Sequence, residues 1–376
     1  MELQDICFYV KERIKVSELT QYTYISTENM LPNKSGITKA TNLPNVETTT
    51  SFKKGDILVS NIRPYFKKIW QASFDGGCSG DVLVFRSKQG FSQKFLHYVL
   101  ANDAFFDYSM KSSKGTKMPR GDKESIMKYF VPDYSYQIQE KIAYILSLLD
   151  DKIAINNQIN NNLEEQSRII FEQEILAKKE LPIGWVEGNL LGIADYLNGL
   201  AMQKFRPNEG EGGYPVLKIK ELRQGFCDKG SELCSKSIKP EYIIHNGDVI
   251  FSWSGSLLVD FWCGGTCGLN QHLFKVTSNK YDKWFYYAWT KYHLNKFIAI
   301  AADMATTMGH IKREELSKAC VLIPSDIDYK RIGSILEPLY NIIINNRIEN
   351  YKLAKLRDIL LPKLMSGELD VSELEL

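Results

Sequence analysis

The chain has 376 residues, 47 Lys and Arg against 45 Asp and Glu, and a formal net charge of +2; 44% of it is hydrophobic and 12% aromatic. Such a composition excludes a disordered chain, and the length admits two ordinary domains, each with its own core. A charge so near balance excludes a global field for nucleic acid, so any basic surface must come from local clustering.

Residues 1–133 hold short runs rich in Val, Ile, Phe and Tyr, such as Asp56-Ile57-Leu58-Val59-Ser60 and Asp81-Val82-Leu83-Val84-Phe85, which read as strands between turns. The spacing predicts one helix over 93–108, with Phe95, Val99, Phe105 and Phe106 on a shared face, and Pro132 ends a strand-like Tyr129-Phe130-Val131. From Gln137 to Lys179 there is no proline or glycine, and a stripe returns every three or four residues: Ile138, Ile142, Ile145, Leu149, Lys152, Asn156, Ile159, Leu163, Gln166, Ile170. This 3.5-residue average keeps one helix seam on a partner helix. An unbroken helix of that length spans roughly 60 Å, more than a small domain needs across its core.

Residues 181–325 repeat the order of the first module. Lys54-Gly55-Asp56-Ile57-Leu58-Val59-Ser60 has its counterpart in Asn246-Gly247-Asp248-Val249-Ile250-Phe251-Ser252, and Val131-Pro132 in Ile323-Pro324. Phe95-Leu96-His97-Tyr98-Val99-Leu100 answers to Trp284-Phe285-Tyr286-Tyr287-Ala288-Trp289. A second stripe follows: Ile332, Ile335, Leu339, Ile342, Asn346, Glu349, Leu353, Leu356, Leu360. An offset of 190 sets Asn346 on Asn156, whereas the strings Asn156-Asn157-Gln158-Ile159 and Asn345-Asn346-Arg347-Ile348 align best at 189. Ile142, Leu149, Asn156, Leu163, Leu339, Asn346 and Leu353 are the expected seam residues, the asparagines fixing register. The chain is thus one unit written twice, each a globular β-rich module followed by a long helix. A period this long means duplication of a whole domain.

Two similar modules suit the two-fold symmetry of duplex DNA, which is read by paired elements a fixed distance apart. Basic and amide-rich loops strengthen that reading. Module one has Arg63-Pro64-Tyr65-Phe66-Lys67-Lys68, and a loop 111–120 that carries Lys111, Ser112, Lys114, Thr116, Lys117 and Arg120 with no acid. Module two has Lys204, Arg206, Lys218, Lys220 and Arg223, the amides Asn270 and Gln271, and Thr306, Thr307, His310, Lys312 and Arg313 at related places. Cations neutralise phosphates, while amides and guanidinium groups offer the paired donors and acceptors that base edges require. A solvated face is the plain alternative for each cluster alone.

These features resemble the specificity (S) subunits of Type I restriction–modification systems. The resemblance rests on Gly55-Asp56-Ile57-Leu58-Val59-Ser60, the Gly76-Gly77-Cys78-Ser79-Gly80-Asp81 turn, Lys114-Gly115-Thr116 before Val131-Pro132, and Gln139-Glu140-Lys141-Ile142 opening the long helix. Copy two supplies Gly247-Asp248-Val249-Ile250, Gly268-Leu269-Asn270-Gln271, Thr306-Thr307-Met308-Gly309-His310-Ile311, Ile323-Pro324, and the opening Leu181-Pro182-Ile183-Gly184-Trp185. Copy one begins at Glu2-Leu3-Gln4-Asp5-Ile6 without such an opening, so a slightly trimmed first module or a late start is expected.

The resemblance implies an α+β fold: two tandem globular α/β target recognition domains alternating with two long helices that form an antiparallel coiled coil. The expected bounds are 1–135 and 181–325 for the recognition domains, 136–180 and 326–367 for the helices, and 368–376 for a tail. It also implies a non-catalytic subunit that reads a bipartite DNA site, and because the two modules differ strongly between their shared landmarks the site is expected to be asymmetric. Methyltransferase (M) subunits would dock on the helices, and a restriction (R) subunit could join. S-adenosylmethionine, ATP and magnesium would belong to those partners, with no cofactor in this chain. The competing function from the residues alone is a coiled-coil adaptor whose modules bind protein or glycan.

Catalytic signatures are missing from the sequence. It has no Pro-Pro pair for an Asn/Asp-Pro-Pro methyltransferase motif, no phosphate-cradling Gly-x-x-x-x-Gly-Lys-Ser/Thr loop and no His-Glu-x-x-His. Asp150-Asp151 and Glu164-Glu165 fall on the long helix, where solvated faces are expected. Cys227, Cys234, Cys263 and Cys267 have spacings unlike zinc pairs, so buried reduced thiols and no metal are expected. Seven scattered cysteines fit a reducing cytosol, and no signal peptide or eighteen-residue apolar run is present, which leads to an expected cytoplasmic location and no membrane partner.

Overall fold

The computed structural model describes residues 1–178, 180–303 and 310–375. It divides into two compact units, residues 1–150 with 355–376, and residues 151–354.

In the first unit, a four-stranded antiparallel sheet has the order Cys7–Tyr9, Val82–Ser87, Ile57–Ser60, Ile69–Gln71. The strand Ile57–Ser60 is buried on both faces, and its alternating side chains enter two cores. Ile57 and Val59 join Phe95, Val99, Phe105, Ile142, Leu146, Leu361 and Leu364. Leu58 instead packs with Phe52, Ile25, Cys78, Val82 and Val84, beneath a second sheet ordered Arg13–Lys15, Thr48–Phe52, Gly76–Cys78, Tyr24–Ile25. The expected single helix over 93–108 is two helices, Gln93–Ala101 and Asp103–Lys111. Asn102 lies in extended conformation between them and its side chain accepts from the Ala104 N–H, so it caps the second helix and ends the first.

The second unit repeats the arrangement. Its antiparallel sheet runs Asp195–Asn198, Leu273–Thr277, Val249–Ser252, Leu258–Phe261. Val249 and Phe251 face one core with Trp284, Phe285, Trp289, Ile332 and Leu336. Ile250 faces the other with Leu217, Ile244, Trp262, Cys267 and Leu269. In each unit a short central strand (Gly76–Cys78 or Cys267–Leu269) has one parallel and one antiparallel neighbour. The extra edge strand differs: Arg13–Lys15 lies on the antiparallel neighbour, Leu233–Cys234 on the parallel one.

The long helices span Tyr136–Phe171, with a π-helical extension Glu172–Leu176, and Asp326–Ser366. Each starts just after a proline at a serine cap: Ser135 Oγ accepts from the Ile138 N–H, and Ser325 Oγ from the Asp328 N–H. Asp326 and Asp328 complement the positive end of the second helix. Pro338 interrupts its bonding without ending it; the carbonyl it frees belongs to exposed Ser334, where water can satisfy it.

The helix pairing is antiparallel within each unit. In the second unit Asn156 Nδ2 donates to Asn350 Oδ1 at 2.9 Å and to Glu349 at 2.7 Å, while Asn346 Nδ2 donates to Asn160 Oδ1 at 2.9 Å. A shift of 190 maps Asn156 to Asn346 and Asn160 to Asn350, so the two contacts exchange under a local dyad. This selects the 190 register over 189. In the first unit Arg357 Nη1 meets Asp150 at 2.7 Å, and Lys141 Nζ donates to the Ser372 carbonyl at 2.7 Å, docking residues beyond the second helix.

The buried stripe differs from the expected one. Ile142 and Asn156 are buried, and Leu149, Leu163, Leu339, Asn346 and Leu353 are half-buried. Ile159, Ile335, Ile342 and Leu356 are exposed, together with Lys152 and Gln166; Leu146, Asn160, Ser167, Leu336, Tyr340 and Ile343 take the inward places. The seam is therefore apolar with a polar segment at Asn156, Asn160 and Ser167, and the paired asparagines set register more than they add stability.

Burial pushes the imidazole of His97, on helix Gln93–Ala101, down to about 4; attraction from Asp150 is offset by Arg357 and Lys34, and the enclosed Nδ1 has no hydrogen-bond partner. A depressed histidine binds its proton more readily in the unfolded chain, so its contribution to stability falls as pH drops below about 6.5 and levels off near 4. Lowering the pH from 7 to 5 should remove about 2 kcal/mol through this group. Urea unfolding at the two pH values should show that loss, and His97→Gln should shrink it.

Candidate nucleic-acid interface

In the first unit three loops meet beyond the end of the buried strand Ile57–Ser60. The chain leaves it through Asn61 and Ile62, turns at Arg63, forms a 3-10 turn Pro64–Phe66 and turns again at Lys67. Arg63 and Lys67 both hold positive φ, 51° and 50°, which non-glycine residues rarely adopt and which clusters at functional sites. The loop 111–121 fixes this turn from one side. Arg63 N–H donates to the Pro119 carbonyl at 2.8 Å, Ile62 and Arg120 form a β-bridge, and Lys114 and Arg120 exchange backbone bonds at 2.9 and 3.0 Å. At Gly121 a Cβ would lie 2.7 Å from Ser109 Oγ and 2.8 Å from Asn61 Oδ1, so any larger residue must displace those side chains. From the other side, Asn33 and Lys34 donate backbone N–H groups to the carbonyls of Phe66 and Lys67.

The loops bring together Lys34, Arg63, Tyr65, Lys67, Lys114, Lys117 and Arg120. Tyr65 is 48% exposed, its ring 4.6 Å from that of Phe66. Lys34 and Lys67 share Asp103 at 2.8 and 2.7 Å. Burial would raise the Asp103 carboxyl, but hydrogen bonds from the two lysines outweigh it and hold it below its usual range. Arg120 forks onto Asp81 at 3.1 and 3.2 Å, and Lys114 meets Asp122 at 2.9 Å. Lys111, Thr116 and Lys117 are exposed. Lys68 is differently placed: its Nζ donates to the Thr27 carbonyl at 2.6 Å and burial lowers its pKa, while Ser112 Oγ donates to Ser109 O. Those two side chains serve the local fold.

The second unit builds the same junction from other side chains. Strand Val249–Ser252 leads into Trp253 and Ser254; Ser254 is bridged to His310, and the Ile311 N–H donates to the Trp253 carbonyl at 2.9 Å. The first unit has the matching bridge between Ile62 and Arg120 and the matching bond from Gly121 to Asn61 at 3.2 Å. Trp253 stacks on Phe274 at 5.6 Å, stands 6.3 Å from the rings of both His272 and His310, and donates Nε1–H to Asn198 Oδ1 at 3.0 Å. Ser254 Oγ lies 3.1 Å from His272 Nδ1, and Gln271 Nε2 3.3 Å from His272 Nε2. Asn270 is buried, and its Oδ1 accepts from the His272 N–H at 3.3 Å, so it shapes this turn.

Lys312 is exposed, and Arg313 donates to the Tyr196 carbonyl at 3.4 Å. Lys218 and Lys220, at the start of helix Ile219–Gln224, pair with Glu232 at 2.6 Å and Asp228 at 2.8 Å; Arg223 on that helix is exposed. Lys204 and Arg206 are exposed beside Met202, which packs with Val216 and Cys234. Thr306 and Thr307 lie outside the described residues.

Lys34, Asn198 and Trp253 escaped the sequence reading. Trp253 had a signal, since it directly follows Ser252, the repeat counterpart of Ser60. Lys34 had only its turn-forming Pro32-Asn33-Lys34-Ser35-Gly36 setting. Burial pushes the thiols of Cys7 and Cys78 up to about 12 and that of Cys263 to about 11. Among the described residues no group of three or more His, Cys, Asp or Glu is placed to hold a metal, and no helix is long and apolar enough to cross a membrane.

The family model for the Type I restriction modification DNA specificity domain matches residues 1–165 and again 182–352. The specificity subunit of Type I restriction enzyme MjaIX from Methanocaldococcus jannaschii is 25% identical over 314 residues, covering 76% of this chain and 71% of that one. The HindI specificity subunit from Haemophilus influenzae is 23% identical over 458 residues and covers 98% of each. The solved S subunit from M. genitalium shares the fold, with a TM-score of 0.59 at 15% identity across 99% of this chain and 96% of its own. With both repeats matched by one family model, over a fold that carries the same loop junction twice, the chain belongs to the Type I restriction–modification DNA specificity subunits.

Proposed function

We propose that the two modules each read one half of a split, asymmetric DNA site, and that the chain directs methyltransferase subunits, and a restriction subunit where present, to it. One observation carries this reading. The same bridged loop junction stands beyond the central strand of both units, furnished with Arg63, Tyr65, Lys114, Lys117 and Arg120 in one and with Trp253, Gln271, His272 and His310 in the other. One scaffold with two chemistries suits one protein reading two unlike half-sites. Phosphate contacts would come chiefly from the cations, and base contacts from side chains with paired donors or acceptors.

The helices bear apolar side chains that the fold leaves outside: Tyr144, Leu148, Leu356 and Ile359 in the first unit, Ile155, Ile159, Ile335 and Ile342 in the second. Such stripes suit the docking of partner helices. The chemistry then resides in those partners, which would bind S-adenosylmethionine, ATP and magnesium in the cytoplasm, and this chain is non-catalytic. Methylome sequencing of a host carrying the gene with its partner subunits should return one bipartite motif with unlike halves. A palindromic motif, or none, would refute the reading.

A further inference from the structure

We propose that Asp81, Asp103 and Asp122 are specificity-determining residues, acting as built-in counterions that hold the phosphate-seeking cations of the first module until a fitting duplex displaces them. The proposal rests on the DNA-reading function above and adds a means of rejecting wrong DNA.

Four cations of the three-loop cluster are engaged by these acids. Asp103 holds Lys34 on Oδ1 and Lys67 on Oδ2; Asp81 takes the Arg120 fork; Asp122 takes Lys114. None of the three acids is a free surface charge. Asp103 opens helix Asp103–Lys111 behind the Asn102 cap, Asp81 precedes strand Val82–Ser87 and its carbonyl accepts the Asn61 N–H, and Asp122 caps helix Lys123–Ile126 through Ser125. The backbone thus sets each carboxylate before any ligand arrives. Lys111 and Lys117 have no ion pair among the described residues.

Surface pairs of this kind contribute little to folding, so stability alone gives no reason to place four of them around one junction. Their electrostatic effect is larger. Each acid cancels one positive charge within a screening length, so a duplex approaching in a poor fit meets a weakened positive field. A phosphate can replace the acid only when it is brought to the cation at hydrogen-bonding distance, which requires that the duplex fit the loops. Binding then exchanges one anion for another at well-placed sites, and gains least where placement is wrong. The second module carries comparable pairs, Lys218 with Glu232 and Lys220 with Asp228.

The test uses the full chain and a duplex of about 30 base pairs without the cognate motif, titrated by fluorescence anisotropy across a series of salt concentrations. The triple variant Asp81→Asn, Asp103→Asn, Asp122→Asn should bind it about tenfold more tightly than wild type at 0.1 M salt. The salt slope should steepen by up to about 0.9 per freed cation. Asparagine keeps the shape and capping ability of each aspartate, and Asp103→Asn alone, which frees two lysines, serves should the triple variant not fold. A charge-matched control, Glu18→Gln, Asp133→Asn, Glu140→Gln, should change affinity less than twofold. Equal tightening by the control would overturn the proposal, since net charge would then suffice. Unchanged binding by Asp103→Asn and the triple variant, with wild type binding normally, would overturn it while leaving the DNA-reading function standing. Failure of every form to bind any duplex, cognate included, would remove that function itself.

Discussion

Alanine at Arg63, Lys114, Lys117 and Arg120 together should lower duplex affinity by about a hundredfold to a thousandfold at 0.1 M salt. Each neutralised phosphate contributes a salt slope of roughly 0.9, equivalent at that concentration to nearly a decade in the binding constant. Four contacts set an upper limit near four decades. Asp81 and Asp122 already engage two of the cations, which brings the expectation down. The loop should survive the substitutions, because backbone bonds hold it: Arg63 to Pro119, and Lys114 with Arg120 in both directions. Arg63 Nε is enclosed without a partner, so its removal leaves no new orphan. The measurement is anisotropy against salt, with far-ultraviolet circular dichroism as the folding check. A loss below fivefold with an unchanged slope would place the phosphate-binding face elsewhere.

The duplicated modules were legible because strand-forming runs and glycine turns are local signals, and the Gly-Asp strands do occupy the doubly buried centres of both sheets. The inward seam of the helices was legible only in part. Periodicity counts apolar residues without knowing which neighbour they meet, and these helices carry two apolar faces. Ile335 and Ile342 lie on the outer one, while Asn160 and Arg347 turn inward because partners across the pair satisfy their polar groups. The break at Asn102 was hidden for a related reason: an asparagine inside an apolar-periodic run gives no sign from spacing alone that it will cap. Lys34 was out of reach of any local signal, since its place at the interface depends on backbone bonds to Phe66 and Lys67, some thirty residues away, and on positive φ at four positions in the two loops. The cationic loop 111–120 could be seen in the sequence, whereas the acids that answer it come from residues 81, 103 and 122 and required the fold.

Removing the Arg347 side chain should destabilise the second unit by about 3 kcal/mol. Its guanidinium joins three elements, with Nη1 2.5 Å from Asp260 on the edge strand Leu258–Phe261 and Nη2 2.6 Å from Glu164 on the first long helix. Burial disfavours its charge, but Asp260, Tyr287 and Glu164 together outweigh burial, so its pKa is held above the ordinary arginine value. In Arg347→Ala both carboxylates lose this partner at a site where the arginine side chain is only 24% exposed. Lys291, 3.3 Å from Glu164, compensates one of them in part, which keeps the expected loss toward the lower end for a broken buried pair. Neutralising the acids as well separates charge from packing. The triple variant Arg347→Met, Asp260→Asn, Glu164→Gln should recover most of the loss, because a buried network replaced as a whole costs far less than one left half-paired. Urea unfolding midpoints of the three proteins decide the matter. A loss under 1 kcal/mol for Arg347→Ala would mean that water screens the network and that the aromatic packing of Phe261, Tyr287 and Tyr340 alone holds the helices to the sheet.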